Sequence, residues 1–236
     1  MRKLTLILAI VIVAISGVVA QTPTQIIARY DQVTGLGDIG NTKYNNLMFD
    51  VTVESQGMKI PMKIISSTND RMRIEMQQMG MQMLVIINGN KGWISAAGQV
   101  QPLPAEALKQ QTSQGNVFSS MRWSHDKFDM EYLGEQKVGE QTIDNIKMTD
   151  KDPNAKLKEV TVGFDKATGF AVSCIGKADG VDVEITFADY KPMANVFMIP
   201  TIINNKMGGK NIAKMVIENL TTDCQVNDEM FAEPKK

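Results

Sequence analysis

The sequence predicts a mainly β domain, of α+β type with antiparallel strands dominating, that is preceded by an export segment. Two observations support this fold class. Apolar and polar residues alternate along most of the chain, and short turn sequences separate the alternating runs. Helical spacing of apolar residues is confined to a stretch near residue 30 and a short stretch after Pro104. An antiparallel sheet of this length must curl or close, and its apolar face must be covered.

Residues 1–20 have the parts of a secretory signal peptide. Two basic residues precede an apolar run over Leu4–Ile15, and small residues lead up to Gln21. The run is shorter than the roughly 20 apolar residues that a membrane span needs. We therefore expect cleavage after Ala20, and a single domain over residues 21–236 because no linker-like tract divides the chain.

The first elements after the signal peptide are a helix and a meander. Thr22-Pro23-Thr24 is typical of a helix start, and the helical spacing continues to Gly35. Alternation then places Leu47 and Val53 on one face of the first of five predicted strands before residue 97. Asn88-Gly89-Asn90 predicts a tight hairpin within this meander.

Residues after Pro102 interrupt the meander. Pro104 and the good helix formers that follow it predict a short inserted helix, and residues 113–127 are expected to form a loop with some helix. Seven further strands are predicted over residues 129–137, 141–149, 158–164, 169–176, 181–190, 197–204 and 210–220.

Composition argues against several classes of function. The net charge is −1, which gives no electrostatic footprint for nucleic acid. His125 is the single histidine, and adjacent residues of an extended chain point to opposite sides, so Ser124, His125 and Asp126 cannot converge as a relay. The glycines of residues 35–40 follow a helix and precede a strand, which is the reverse of the dinucleotide-binding order. We therefore expect no enzymatic activity, cofactor or metal.

Methionine is the unusual residue, with 17 in the chain, and several lie on three consecutive predicted strands. Such side chains adapt to irregular apolar partners, so they either fill a core or line a concave sheet. The residues predicted to line or flank an apolar concavity are Met62, Met72, Met76, Met81, Met83, Val85 and Trp93. A one-residue bulge at Gly80 would change the face of residues 81–87.

The two cysteines leave two alternatives open. Cys174 and Cys224 lie on different predicted strands, and an exported protein permits a disulfide. They could pair, or both could remain free thiols, because the sequence does not give the distance between their Cα atoms.

Short strand and turn segments follow one another in a defined order along the chain. They are Arg71-Met-Arg73-Ile-Glu75, Asn88-Gly89-Asn90-Lys91-Gly-Trp93, Val160-Thr-Val-Gly-Phe-Asp165-Lys-Ala-Thr-Gly169, Ile185-Thr-Phe-Ala-Asp-Tyr190-Lys-Pro-Met, Phe197-Met-Ile-Pro200-Thr-Ile and Val226-Asn227-Asp228-Glu-Met-Phe231-Ala-Glu-Pro234. This order resembles the LolA-like family of periplasmic outer-membrane lipoprotein-sorting proteins.

The resemblance implies an unclosed half-barrel covered by an N-terminal helix and short inserted helices. It also implies a periplasmic carrier that binds acyl chains of lipoproteins or lipids and moves them toward the outer membrane, with transfer partners at the inner and outer membranes. A lipid-sensing regulatory or interaction module of the cell envelope is the alternative that the resemblance leaves open.

Overall fold

The computed structural model describes residues 21–38, 44–67, 70–78, 80–105, 108, 122–153, 155 and 157–235. The predicted signal peptide lies outside these residues. In chain order the elements are α1 (Pro23–Thr34), a 3-10 turn (Leu36–Asp38), β1 (Asn46–Ser55), β2 (Met58–Ser67), β3 (Arg71–Gln78), β4 (Met81–Asn88), β5 (Lys91–Ala96), β6 (Gln99–Pro102), β7 (Phe128–Val138), β8 (Gln141–Asp150), β9 (Glu159–Asp165), β10 (Ala171–Ala178), β11 (Val181–Met193), β12 (Phe197–Met207), β13 (Lys210–Thr222) and a C-terminal 3-10 helix (Asp228–Phe231).

The thirteen described strands form one antiparallel sheet that does not close. The strand order is β6-β5-β4-β3-β2-β1-β13-β12-β11-β10-β9-β8-β7, so the sheet begins at β6 and ends at β7. Consecutive strands are neighbours except β6 and β7, which form the two edges of the sheet, and the pairing of β1 with β13 joins the two meanders. The mainly β fold class and the unclosed half-barrel are therefore confirmed.

Helix α1 has the caps that its sequence predicts. The Thr22 side chain accepts a hydrogen bond from the Gln25 backbone N–H, and the Gln25 side chain accepts one from the Thr22 backbone N–H, which completes a capping box. Gly35 ends the helix in the left-handed conformation, with φ of 71°. The helix buries Ile26, Ile27 and Tyr30 against the sheet, where Tyr30 contacts the Phe164 ring edge-on at 5.5 Å between centroids.

The seven strands predicted in the second half are confirmed, with ends that differ by at most three residues. The first meander is longer than predicted, because it includes β6 up to Pro102. Proline is tolerated there because β6 lies at the edge of the sheet and its missing N–H removes no ladder bond. In the inserted segment the Leu108 N–H donates to the Pro104 carbonyl at 2.9 Å, which is one helical hydrogen bond. Most of the predicted inserted helix and residues 113–121 lie outside the described residues.

The two edges of the sheet differ in length and in regularity. β6 has four residues and ends at a proline, whereas β7 has eleven. β7 is interrupted by an irregularity between Tyr132 and Gly134, where Gly134 has φ of 104°. A short edge strand, a proline and a bulge all reduce the ability of an edge to pair with another chain.

The sheet has an inner face and an outer face with separate apolar clusters. The inner face packs on α1 and carries the main core, which includes Phe49, Ile146, Val162, Ile199 and Ile217. The outer face of β2–β5 carries a smaller cluster built around Ile65, Ile86 and Phe231. No helix among the described residues is long and apolar enough to cross a membrane.

Residues 223–235, here called the C-terminal strap, cover the outer cluster. Phe231 is fully buried in it, with the Arg71 guanidinium 4.7 Å from its ring centroid. The Arg73 guanidinium donates to the Met230 carbonyl at 2.9 Å, and the Asn88 amide donates to the Phe231 carbonyl at 3.2 Å. The strap is therefore fixed by one buried ring and by side chains of β3 and β4.

The two cysteines are free thiols, so the disulfide alternative is wrong for this structure. Cys174 is buried in the main core on the inner face, whereas Cys224 packs with the outer cluster through the strap. The sheet itself separates the two side chains. Burial raises the pKa of the Cys174 thiol to about 12.

Replacing Phe231 with alanine should lower the free energy of unfolding by about 3–5 kcal/mol, because the change leaves a cavity in the outer cluster. Urea denaturation followed by circular dichroism measures this loss. Asp228→Asn is the control: Asp228 pairs with Arg71 at 2.8 Å but its side chain is fully exposed, so the midpoint should hardly move. Equal losses in both variants would contradict the anchoring role of the ring.

Alkylation of the native protein at neutral pH should modify Cys224 well before Cys174. The thiolate is the reactive form, and a pKa of about 12 keeps Cys174 protonated until the pH rises toward that value. Peptide mass spectrometry after timed iodoacetamide treatment gives the order. Full labelling of both thiols after unfolding without reductant confirms that they are unpaired, and a disulfide-linked peptide would contradict the structure.

Candidate functional site

The inner face of β1–β5 is ordered into rows by cross-strand pairing. Each row contains one residue from each strand, and adjacent members of a row are directly opposite each other. The inner row is Leu47, Ser66, Met72, Ile87 and Gly92. The middle row is Phe49, Ile64, Ile74, Val85 and Ile94. The methionine row is Val51, Met62, Met76, Met83 and Ala96.

Burial decreases from the inner row to the methionine row. All five members of the inner row are buried. In the middle row Phe49 and Ile64 are buried and the other three are half-buried. In the methionine row only Val51 is buried, and beyond this row Met81 is 50% exposed. The inner face is thus a filled core at one end and an accessible apolar surface at the other.

The turn at Gly80 determines which face residues 81–87 occupy. Gly80 has φ of 77°, a left-handed conformation that suits glycine, and two residues connect β3 to β4. Gln78 therefore pairs with Met81, and the β3–β4 ladder has no register shift. The bulge that would have moved these side chains to the other face is absent from this ladder.

Six of the seven residues predicted for the concavity share the inner face. They are Met62, Met72, Met76, Met81, Met83 and Val85. Met72 belongs to the buried inner row, so it is part of the core, while the other five lie in or beside the half-buried region. Their contact with a ligand stays a prediction.

Trp93 lies on the outer face, opposite Ile86, and packs in the outer cluster. The two-residue turn Gly89–Asn90 sets Asn88 opposite Lys91, and this register places Ile94, and not Trp93, beside Val85. Counting residue pairs outward from the two-residue turn would have placed Ile94 opposite Val85, and therefore on the inner face.

The apolar inner face continues beyond β1 into the second meander. Val51 pairs with Ile217 on β13, and Val53 pairs with Met215. Met215 pairs with Ile203, which pairs with Phe187 on β11. The sequence-based list missed these residues, because joining the two meanders depends on the long-range pairing of β1 with β13. The sequence signal that was available is the alternation of apolar and polar residues in both β1 and β13, which predicts one apolar face for each strand.

Polar chemistry in this region is sparse. The Ser66 hydroxyl is buried in the inner row without a hydrogen-bond partner. His125 lies in a turn, where its Nε2 is 3.1 Å from the Thr24 hydroxyl. Within the described part of the chain, no three His, Cys, Asp or Glu side chains are grouped closely enough to hold a metal. The rows can therefore offer apolar contact and soft thioether sulfur.

The fold is LolA-like. A LolA superfamily protein from Nitrosomonas europaea superposes with a TM-score of 0.60 at 10% identity, covering 90% of this chain and 98% of its own. A domain from Vibrio parahaemolyticus, described as an outer membrane lipoprotein-sorting protein domain, has a TM-score of 0.60 at 13% identity, with 87% and 94% covered. A DUF1329 family protein from Desulfovibrio piger has a TM-score of 0.58 at 13% identity, with 88% and 94% covered.

The two sequence comparisons give no match. No protein-family model matches the chain, and no curated protein matches it significantly. The likeness to the three solved structures establishes the architecture of the sheet.

Proposed function

We propose that the protein binds the acyl chains of lipoproteins or lipids on the half-buried inner face, as a carrier within the periplasm. The observation that supports this function is the methionine row, where Met62, Met76 and Met83 are only half-buried although the same face is a filled core two rows away. Covering such a surface with an acyl chain would remove more apolar area from water, at roughly 25 cal/mol per Å².

The dimensions of the row suit an extended chain. Neighbouring strands are roughly 4.8 Å apart, so the five positions from Val51 to Ala96 extend over about 19 Å. Methionine has three rotatable side-chain bonds and a polarizable sulfur, so one row can accommodate chains of different shape. The direction of transport, toward the outer membrane, and the membrane partners that would load and unload the cargo belong to the same proposal.

Met76→Glu should weaken acyl-chain binding by roughly tenfold or more. It places a carboxylate in the centre of the methionine row, and burying an uncompensated polar group costs roughly 1–3 kcal/mol, where about 1.4 kcal/mol is a factor of ten. Displacement of a fluorescent fatty acid from the purified protein measures the affinity.

Gln77→Glu is the matched control, since Gln77 is the next residue on β3, is exposed and faces outward. It adds the same charge and should leave the affinity unchanged. Equal effects in both variants, or no fatty-acid binding by the unaltered protein, would refute the inner face as the site. Native mass spectrometry of protein isolated from the periplasm identifies the cargo, and co-purification of a stable protein partner without lipid would favour the sensing module.

A further inference from the structure

Four methionines of the inner face lie within one small region. Met62, Met76 and Met83 are directly opposite one another on β2, β3 and β4, with Met76 in the middle. Met81 precedes Met83 by two residues on the same face of β4 and is half exposed. No register shift interrupts either ladder, so the three strands hold the four side chains together.

The spacing allows the thioether sulfurs to meet. Side chains directly opposite each other on neighbouring antiparallel strands have Cβ atoms about 4.5–5.5 Å apart. Residues two apart on one strand have Cα atoms roughly 6.6–6.8 Å apart. Each methionine sulfur is joined to its Cβ through one further carbon and can reach inward from either side of Met76. Three sulfurs can thus surround a single ion, with Met81 available as a fourth donor.

The donor set selects the type of ion. Thioethers are neutral and soft, and soft sulfur ligands favour Cu(I), whereas hard divalent cations need oxygen ligands. The charged residues Lys63 and Glu75 lie opposite each other on β2 and β3, on the outer face, so neither faces the methionine row. Lys63 forms an ion pair with Asp50 at 3.4 Å, and Glu75 forms one with Arg73 at 2.6 Å. The site is neutral and half exposed, so it offers no charge to offset the loss of hydration of a bound ion. This loss is smaller for a monovalent ion than for a divalent ion.

From this placement we infer that Met62, Met76 and Met83, with Met81, form a binding site for one Cu(I) ion. The inference is independent of the proposed lipid function, because it requires sulfur atoms, whereas acyl-chain binding requires only apolar area. Leucine separates the two, since it keeps the volume and hydrophobicity of methionine and removes the sulfur.

The test is anaerobic titration with Cu(I) in competition with bicinchoninate, in ascorbate. Cys224→Ser serves as the background, because the half-buried Cys224 thiol would also bind Cu(I). Cys174 is buried in the core. The background protein should bind one equivalent. The triple variant Met62→Leu, Met76→Leu, Met83→Leu should lose at least tenfold in affinity while its circular dichroism and Tm remain close to those of the background.

Met207→Leu is the matched control, since Met207 is 39% exposed and pairs with Val183 and Lys210, neither of which is a methionine. It should bind Cu(I) like the background. As a second readout, Ag(I) should shift the methyl NMR signals of Met62, Met76, Met83 and Met81 and leave that of Met207 in place.

The outcomes are distinguishable. Absence of Cu(I) binding by the background protein, or unchanged binding by the triple leucine variant, overturns the metal site. Loss of Cu(I) binding in that variant with retained fatty-acid binding supports the metal site and leaves the lipid function intact. Cu(I) binding by a protein that binds no fatty acid would uphold the metal site and refute the proposed function.

Discussion

The inner face of the sheet is an apolar surface much wider than α1, the helix that packs on it. Thirteen strands at roughly 4.8 Å spacing extend over roughly 60 Å around the curve, whereas a helix with its side chains is about 10–12 Å across. Within the described part of the chain, α1 covers one region, around Tyr30 and Phe164, and Leu103, Leu108 and Trp123 pack on the same core. The decrease in burial from the inner row to the methionine row shows where, along β1–β5, the covered part of this face ends. Accessible apolar surface is built into the architecture and does not depend on any one side chain.

The outer face of β2–β5 also carries apolar residues, but there the C-terminal strap covers them. Alternation along β2–β5 gives this side of the sheet apolar residues as well, including Ile65 and Ile86. The strap covers them by inserting Phe231, and side chains of β3 hold it in place. Because inner and outer residues alternate along each strand, the strap braces the same strands whose inner side carries the methionine row. The same strands thus have an outer face covered by the strap and an inner face with half-buried methionines.

Local pattern was sufficient for much of this structure. Alternation and turn residues located twelve of the described strands, and Thr22 and Gly35 located the ends of α1. The local pattern was insufficient where the register of a hairpin decides which face of the sheet a side chain occupies. The assignment of Met81 and Met83 depended on the length of the turn at Gly80, which came out as an unbulged hairpin. Trp93 was assigned to the wrong side because the register across the preceding hairpin was not counted.

Long-range features could not be derived from local pattern. The pairing of β1 with β13 joins residues that are far apart in sequence, and it brings Ile217 beside Val51. The role of Phe231 was hidden for the same reason, since its segment resembles a family motif without revealing which face it covers. β6 was missed because Pro102 argues against a central strand, although it is acceptable at an edge.

Because β6 and β7 are not paired with each other, the sheet can vary its radius in a way that a closed barrel cannot. In a complete barrel the number of strands and their shear fix the girth, and widening it would break ladder hydrogen bonds. Here the two margins are not joined by a ladder, and the proline and the Gly134 irregularity discourage either from joining to another chain. The sheet can then change its radius by small twists distributed over many strands. The same sheet could then accommodate a wide or a narrow ligand without losing hydrogen bonds between its strands.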